Sequence, residues 1–409
     1  MITLDGQTLT LNQLVSIARH HEGVKLSDEN IKLVNRASSF VGDLLNSKKA
    51  VYGINTGFGD LANVQIDYNE LSILQLNLLK SHACGVGNPL NIETVRAMLV
   101  LRINALIQGY SGTRLETINL MLTFLDKNIT PVVFEKGSLG ASGDLALLSH
   151  MSLPLLGLGE VFYKNERMPS HKALKLAGVK PLDHLAPKEG LSLINGTQGM
   201  SAVGALVLYD AFKLLDYANL SLSLSMEGLE AIIDAFDPKI QGVRHHLGQI
   251  NIAKEINTLL SGSLNITHQG EQRVQDAYSI RCAPQVHGAS LDAFNHVLDI
   301  LNKEMNAVTD NPILFVDENQ AISAGNFHGQ PLALGFDYLA LAIAELANIS
   351  ERRLERLVNP KLNNGLPPFL TKASGLNSGF MIVQYTAASL VSENKVLAHP
   401  ASVDSIPSS

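Results

Sequence analysis

Apolar residues recur at helical spacing along most of this 409-residue chain. Between Asn91 and the stop Gly109-Tyr110-Ser111-Gly112, apolar positions three and four apart predict an amphipathic helix from Ile92 to Gln108. Asp67-Tyr68-Asn69-Glu70 has the form of a capping box and predicts a helix running to about Ser81. Four longer helices are predicted over roughly Gln198–Ala231, His287–Ala307, Pro331–Val358 and Ser378–Leu397. They exceed the usual helix of about 11–12 residues and imply a bundle of long parallel and antiparallel rods. Leu206, Leu208, Phe212, Leu214 and Leu215 spread apolar groups over more than one stripe, so several neighbours or subunits are expected around such a rod.

Strand signals are short and sparse. Ile2-Thr3-Leu4 and Thr8-Leu9-Thr10 flank Asp5-Gly6 and predict a hairpin. Val161-Phe162-Tyr163 before Lys164-Asn165, and Ile313-Leu314-Phe315 before Asp317-Glu318-Asn319, predict two more. The expected fold class is mainly α with a few short β-hairpins. Residues 1–200 are expected to form a smaller N-terminal domain and residues 201–409 a bundle of long helices.

Composition narrows the classes of function. Hydrophobic residues make up 46% of the chain and charged residues 17%, which suggests surface hidden by other copies. A net charge of −7 and a pI near 6.0 argue against nucleic acid, and no Lys/Arg run marks a polyanion site. Two cysteines, Cys84 and Cys282, make no disulfide framework and fit a reducing compartment. Met1-Ile2-Thr3-Leu4-Asp5-Gly6 lacks the basic and then apolar segments of a signal peptide. His150, Pro154 and Asp337 interrupt the apolar runs near 145–162 and 331–346, so none is expected to reach the ~20 residues that span a bilayer. A soluble, cytoplasmic protein without metal is expected.

The chemistry concentrates in Gly137-Ser138-Leu139-Gly140-Ala141-Ser142-Gly143-Asp144-Leu145. Taken alone, this is a glycine-rich turn with Ser142 or Asp144 capping the helix that begins at Leu145. Ala141-Ser142-Gly143 can also become an electrophile. Attack of the Gly143 nitrogen on the Ala141 carbonyl closes a five-membered ring, and loss of two waters leaves an exocyclic methylene on an imidazolone. Gly143 offers an unhindered nitrogen and unusual backbone angles, Ala141 is small, and Ser142 carries the leaving hydroxyl.

The longer string resembles the signature of the aromatic amino acid ammonia-lyases, whose electrophile is 4-methylideneimidazole-5-one. Four further blocks resemble that family, in its order. Tyr52-Gly53-Ile54-Asn55-Thr56-Gly57-Phe58-Gly59 is similar to its mobile lid, and the resemblance makes Tyr52 the base that removes the substrate's β-proton. Gly190-Leu191-Ser192-Leu193-Ile194-Asn195-Gly196-Thr197 places Asn195 where the family has an asparagine bonded to the ring. Gln275-Asp276-Ala277-Tyr278-Ser279-Ile280-Arg281-Cys282 matches a block that normally has proline at the position of Ala277. It makes Arg281 the carboxylate clamp, Tyr278 a hydrogen-bonding group near the electrophile and Gln275 a polar contact to substrate. Ala324-Gly325-Asn326-Phe327-His328-Gly329 places Phe327 beside ring and substrate. Glu304 and Asp310 match as well and read as structural.

Substrate choice in the family tracks two adjacent positions, here Ser81-His82. Phenylalanine-selective members carry Phe-Leu and tyrosine-selective ones His-Leu; Ser-His is the pair of histidine-selective members. The resemblance therefore implies elimination of ammonia from L-histidine to trans-urocanate, with His82, Asn195, Gln275, Arg281 and Phe327 binding substrate. No external cofactor is implied, and the expected assembly is a homotetramer with sites shared between chains. A phenylalanine or tyrosine ammonia-lyase, a 2,3-aminomutase, and an inactive helical scaffold remain as alternatives. Family members run beyond Ser409, through an acidic stretch with a site glutamate and a C-terminal helical layer, so reduced activity is expected of this length of chain.

Overall fold

The computed structural model describes residues 1–46, 50–61, 63–140 and 143–404. The chain divides into two compact units, and passes between them inside long helices. Among the described residues, the first unit joins Met1–Val207 to Ile300–Ala333, and the second joins Leu208–Asp299 to residues 334–404. A single cut near residue 200 does not describe this division, because Ile300–Ala333 returns to the first unit.

In the first unit, β1 (Ile2–Leu4) pairs in parallel with β2 (Val24–Leu26), and α1 (Leu11–Arg19) crosses between them. This corrects the expected hairpin. The Asp5 carboxylate accepts from the amides of Gln7 and Thr8, both at 2.8 Å, which folds the turn on itself. Thr10 then caps α1 through a reciprocal box with Gln13, so Thr8-Leu9-Thr10 leads into a helix instead of a strand. The chain continues through α2 (Asp28–Asn46), α3 (Leu71–His82), β3 (Val86–Pro89), α4 (Ile92–Leu106) and α5 (Leu115–Asp126). Asp67 makes no capping bond: Tyr68–Glu70 is a 3-10 turn, and the expected box does not close. β4 (Thr130–Pro131), β5 (Phe134–Lys136) and α6 (Leu145–Ser152) follow. The hairpin β6 (Glu160–Tyr163) and β7 (Glu166–Pro169) leads to α7 (Ser170–Ala177), α8 (Glu189–Ile194) and α9 (Gln198–Gly228). Lys164 and Asn165 take left-handed φ of 52° and 64° and make the tight turn between β6 and β7. β8 (Ile313–Phe315) and β9 (Gln320–Ile322) form the other expected hairpin.

Helix α4 is the centre of this unit. Every residue from Thr94 to Leu106 is buried, against α1 and α5 among others. Each fully buried Leu, Ile, Val or Met on it contributes about 1.5–3 kcal/mol. Two cations share this apolar helix. Arg96 donates to the carbonyls of Ile17 and Ala18 at the end of α1 and of Leu125 at the end of α5, so it ties three helices together. Arg102 lies further along, beneath the candidate site.

The second unit holds α10 (Pro238–Gly242), α11 (Leu247–Leu259), α12 (Tyr278–Arg281), most of α13 (Ala283–Glu304) and α14 (Gln330–Val358), and α15 (Met381–Leu397). Two stretches, Glu189–Gly228 and α14, are long and apolar enough to cross a membrane by length and composition. That corrects the expectation from Asp337, whose carboxylate is taken up by the amides of Ala401 and Ser402 at 3.1 and 2.8 Å. The first stretch is 83% buried inside the protein over its apolar window, which is what a core helix shows.

Candidate active site

Ala141 and Ser142, on which the expected electrophile depends, lie outside the described residues; the chain on either side of them is described. Gly140 and Gly143 pair in an isolated antiparallel bridge, with left-handed φ of 77° and 83°. The antiparallel pair β3–β5 brings the residues after α3 beside the start of this loop. There the Gly85 amide donates to His150 Nε2 at 3.0 Å, and burial holds the His150 pKa below its ordinary value. On the other side, the Gly329 amide donates to the Gly140 carbonyl at 2.9 Å.

Gly143 rests on the Asn195-Gly196 peptide. A Cβ at 143 would lie 3.1 Å from the Gly196 carbonyl oxygen and 3.2 Å from its nitrogen, which would push that peptide by a few tenths of an ångström, on a left-handed backbone that L residues rarely adopt. The Asp144 amide donates to the same Gly196 oxygen at 2.7 Å. The Asp144 carboxylate does not cap α6, as its place before Leu145 suggests. It accepts from Ser138 Oγ at 2.5 Å and from the Met200 amide at 2.9 Å, so it caps the first turn of α9. Burial nevertheless raises its pKa, against the lowering by these bonds. Burial likewise raises the Glu304 carboxyl, which accepts from Thr197 Oγ1 at 2.5 Å and feels the charge of Asp144. Asn195 is buried, and its Nδ2 donates to the Asn311 carbonyl at 3.2 Å.

Two fully buried cations lie beneath this peptide. Arg102 donates through Nε at 2.8 Å, and through Nη2, to the Ser192 carbonyl. Its Nη1 donates to Gln198 Oε1 at 3.0 Å and to the Thr309 carbonyl at 2.9 Å. Burial pushes its pKa down to about 10, with Asp310 opposing, so it stays charged at neutral pH. Lys188 Nζ pairs with Asp310 Oδ2 at 2.8 Å and donates to Ser192 Oγ at 2.9 Å. Burial lowers the Lys188 pKa despite Asp310. The sequence reading passed over both cations. The signal was present in Arg102, a charge inside an otherwise apolar helical run, and in Lys188, immediately before the Glu189-Gly190 start of the asparagine block.

Tyr52 is half-buried, with its ring edge-on to Phe58 at 6.4 Å between centroids. Its hydroxyl accepts from the Gly59 amide at 3.3 Å. Gln75, fully buried on α3, donates to the Gly53 carbonyl at 3.4 Å and accepts from the Leu191 amide at 3.1 Å. One side chain thus links the Tyr52 loop to the helix that leads to Asn195. His82 ends α3, with Nδ1 2.9 Å from the Leu78 carbonyl. A carbonyl only accepts, so this geometry assigns the proton to Nδ1 and leaves Nε2 of the neutral ring a lone pair. Phe327 is half-buried, two residues before the Gly329 that bonds Gly140.

Gln275, Tyr278 and Arg281 belong to the second unit. Gln275 and Tyr278 are exposed, and the Arg281 guanidinium lies 4.4 Å from the Tyr278 ring centroid as a cation–π pair. Their block is anchored from within. Asp276 accepts from the Ile232 amide at 2.6 Å and from Arg273 Nε at 2.7 Å, and Arg353 donates to the Ser279 carbonyl at 3.2 Å.

A predominantly helical chain with these blocks defines a class: the family model described as aromatic amino acid lyase matches residues 9–409, and the chain belongs to that family. Among individual proteins it is similar to the histidine ammonia-lyase of Alkaliphilus oremlandii, 54% identical over 408 residues, which cover 100% of this chain and 80% of the relative. The crystal structure of histidine ammonia-lyase from Trypanosoma cruzi aligns with a TM-score of 0.91 at 44% identity, over 100% of this chain and 76% of that one. Tyrosine aminomutase from Streptomyces globisporus aligns with a TM-score of 0.96 at 33% identity, over 100% of this chain and 80% of that one. Backbone similarity is therefore as high toward an aminomutase as toward an ammonia-lyase, whereas sequence identity is higher toward the histidine ammonia-lyases.

Proposed function

We propose that this chain is a histidine ammonia-lyase, a carbon–nitrogen lyase that converts L-histidine to trans-urocanate and ammonia through an electrophile built from Ala141-Ser142-Gly143. The observation that carries the electrophile is the Gly143 cradle: left-handed backbone packed closely on the Gly196 peptide, the fit that cyclisation through a glycine nitrogen needs. The methylidene-imidazolone supplies an acceptor for the substrate's amine or aromatic ring that no side chain offers. Asn195, held by the Asn311 carbonyl, would hydrogen-bond the ring, and Phe327 would pack beside it.

The remaining work belongs to side chains. Tyr52 takes the β-proton, a step in which a positioned base contributes about 10²–10⁴-fold. Arg281 clamps the carboxylate with its fork of donors, while Tyr278 and Gln275 make polar contacts. The free Nε2 of His82 accepts from the substrate's imidazole N–H. This favours histidine, because a phenyl ring would leave that lone pair unmatched at a cost of about 1–3 kcal/mol.

The working form is a homotetramer with sites shared between chains. Supporting this, α15 has no buried residue and exposes Ile382, Val383, Tyr385 and Leu390, an apolar face of the kind that marks a subunit contact. Two measurements test the proposal. Intact mass should fall by two waters in the purified chain and not in Ser142→Ala. Incubation with L-histidine should give the ultraviolet absorbance of urocanate, while phenylalanine and tyrosine give little cinnamate or coumarate. An unshifted mass, or cinnamate as the main product, overturns it.

A further inference from the structure

We infer that Arg102 is a positioning residue for formation of the electrophile: it braces Gly196 from behind, so that Gly196 holds Gly143 in the geometry from which the ring closes. This rests on the electrophile proposed above.

The contacts run in an unbroken line. A Cβ on Gly196 would lie 2.4 Å from Arg102 Nη1, 2.2 Å from Gln198 Oε1 and 2.9 Å from the Thr309 carbonyl, so Gly196 sits directly on the guanidinium and its partners. On its other side Gly196 meets Gly143, as described. The guanidinium itself has little freedom. It is fully buried and holds the Ser192 carbonyl, Gln198 Oε1 and the Thr309 carbonyl together, gripping both ends of the segment that contains Asn195-Gly196. Lys188 and Asp310 fasten Ser192 and the neighbourhood of Thr309 in turn. A planar fork with fixed directions can make this set of bonds; an ammonium cannot.

The chemistry needs such a brace. In ring closure the Gly143 nitrogen forms a bond to the Ala141 carbonyl carbon. The carbonyl oxygen leaves as water with the Gly143 and Ser142 amide hydrogens, which creates the C=N bond. The second water takes the Ser142 hydroxyl and its Cα hydrogen, which creates the methylene. No oxidant or reductant is consumed. An amide nitrogen is a poor nucleophile, so the rate depends on how closely the two peptides are held, and misplacement by about 1 Å costs about 100-fold.

The test compares intact mass and ring-formation rate after expression in Arg102→Lys, Arg102→Met, Gly196→Ala and Leu99→Ala. Leu99 is a buried apolar residue of the same helix, so its substitution removes packing and no side-chain hydrogen bond. Arg102→Lys keeps the buried charge and protects the fold. Gly196→Ala displaces the peptide and leaves the arginine in place. At matched thermal stability, ring formation should slow about 100-fold in Arg102→Lys and Gly196→Ala and remain complete in Leu99→Ala. If Arg102→Lys and Gly196→Ala carry the full two-water loss, the inference fails and the function stands. If Leu99→Ala loses as much ring per degree of melting temperature, the effect is one of stability and the inference fails again. Arg102→Met, if it folds, should match Arg102→Lys; if it does not fold, Arg102→Lys and Gly196→Ala decide. A wild-type chain without the mass loss removes both the inference and the function beneath it.

Discussion

Two glycine-rich loops of the first unit look alike as sequence and are held in opposite ways. The loop through Gly140 and Gly143, and the Asn195-Gly196 peptide it rests on, are fastened by the buried side chains of Asp144, Arg102, Lys188 and Asn195 and by the half-buried Glu304. The loop from Tyr52 to Gly59 is held by backbone bonds, as in the Gly57 amide to the Val64 carbonyl at 3.0 Å and the Ile66 amide to the Asn55 carbonyl at 3.0 Å, and by the uncharged side chains of Asn55, Thr56 and Gln75. Its root is anchored by Ile54, packed with Phe40, Val41 and Leu314, while Tyr52 and Phe58 at its rim are half-buried. Glycine serves close approach in both loops, Gly143 against Gly196 in the first and Gly57 against the Leu61 carbonyl in the second, while Gly59 at the second loop's rim only turns the chain. A reaction that must form a strained ring needs the first arrangement, and one that must admit substrate and then present a base needs the second.

The comparison breaks most visibly at Tyr52. Tyr52→Phe keeps the ring against Phe58 and removes only the proton acceptor and its bond from Gly59. We expect kcat to fall by about 10²–10⁴-fold with the two-water mass loss intact. An unchanged kcat with a raised KM would make Tyr52 a binding residue and the loop a lid without chemistry.

The next largest effect is expected at the end of α3. Ser81→Phe with His82→Leu removes the lone pair offered by His82 Nε2 and should lower kcat/KM for histidine by about 10–100-fold, the equivalent of about 1–3 kcal/mol. Phenylalanine should become a measurable substrate. Unchanged preference in product absorbance would place selectivity elsewhere, with Gln275 the first residue to examine.

These residues were legible in the sequence because the chemistry fixes their identities. A leaving hydroxyl, an unhindered nitrogen, a phenol and a fork of donors each admit few side chains, and the family's blocks keep them in order. Long helices were legible for a similar reason: apolar spacing over twenty or more residues leaves few alternatives, and only their ends moved, as where α9 stops at Gly228. Less was legible where a residue's partner lies far along the chain. Asp144 precedes α6 but caps α9, Ile2-Thr3-Leu4 pairs with Val24–Leu26 across a helix, and Arg102 grips carbonyls 90 and 207 residues away. Local pattern carries no record of such pairings.

pH should separate the two loops further. Burial raises the carboxyl pKa of both Asp144 and Glu304, so the folded state holds protons more tightly than the unfolded chain. Stability from these groups is full below the ordinary carboxylate pKa and is lost as pH rises through the raised values. After correction for intrinsic exchange rates, hydrogen exchange at the Asp144 and Met200 amides should show opening that becomes easier from pH 4 toward neutrality. The backbone-bonded amides of Gly57 and Ile66 serve as the reference. Protection at the Asp144 and Met200 amides that rises with pH instead would mean the Asp144 and Glu304 carboxylates are better stabilised in the fold than in water.

The smallest expected effect tests the two uses of glycine directly. Gly59 has a left-handed φ of 55° and nothing within 4 Å of the place a Cβ would occupy. Gly59→Ala therefore meets no neighbour, and its cost is the backbone penalty alone, about 1–2 kcal/mol for an L-residue in this region. That cost falls on a loop whose Gly59 amide donates to the Tyr52 hydroxyl at 3.3 Å. It should shift the loop toward open forms, raising KM several-fold and quickening limited proteolysis near residues 57–61. The mass loss and the melting temperature should stay close to wild type, because neither depends on this rim. Gly196→Ala is the contrasting case, where the place a Cβ would take is already occupied by Arg102, Gln198 and the Thr309 carbonyl. If Gly59→Ala also suppressed the two-water loss, the loops would not be separate devices: the Tyr52 loop would have to be closed for the ring to form.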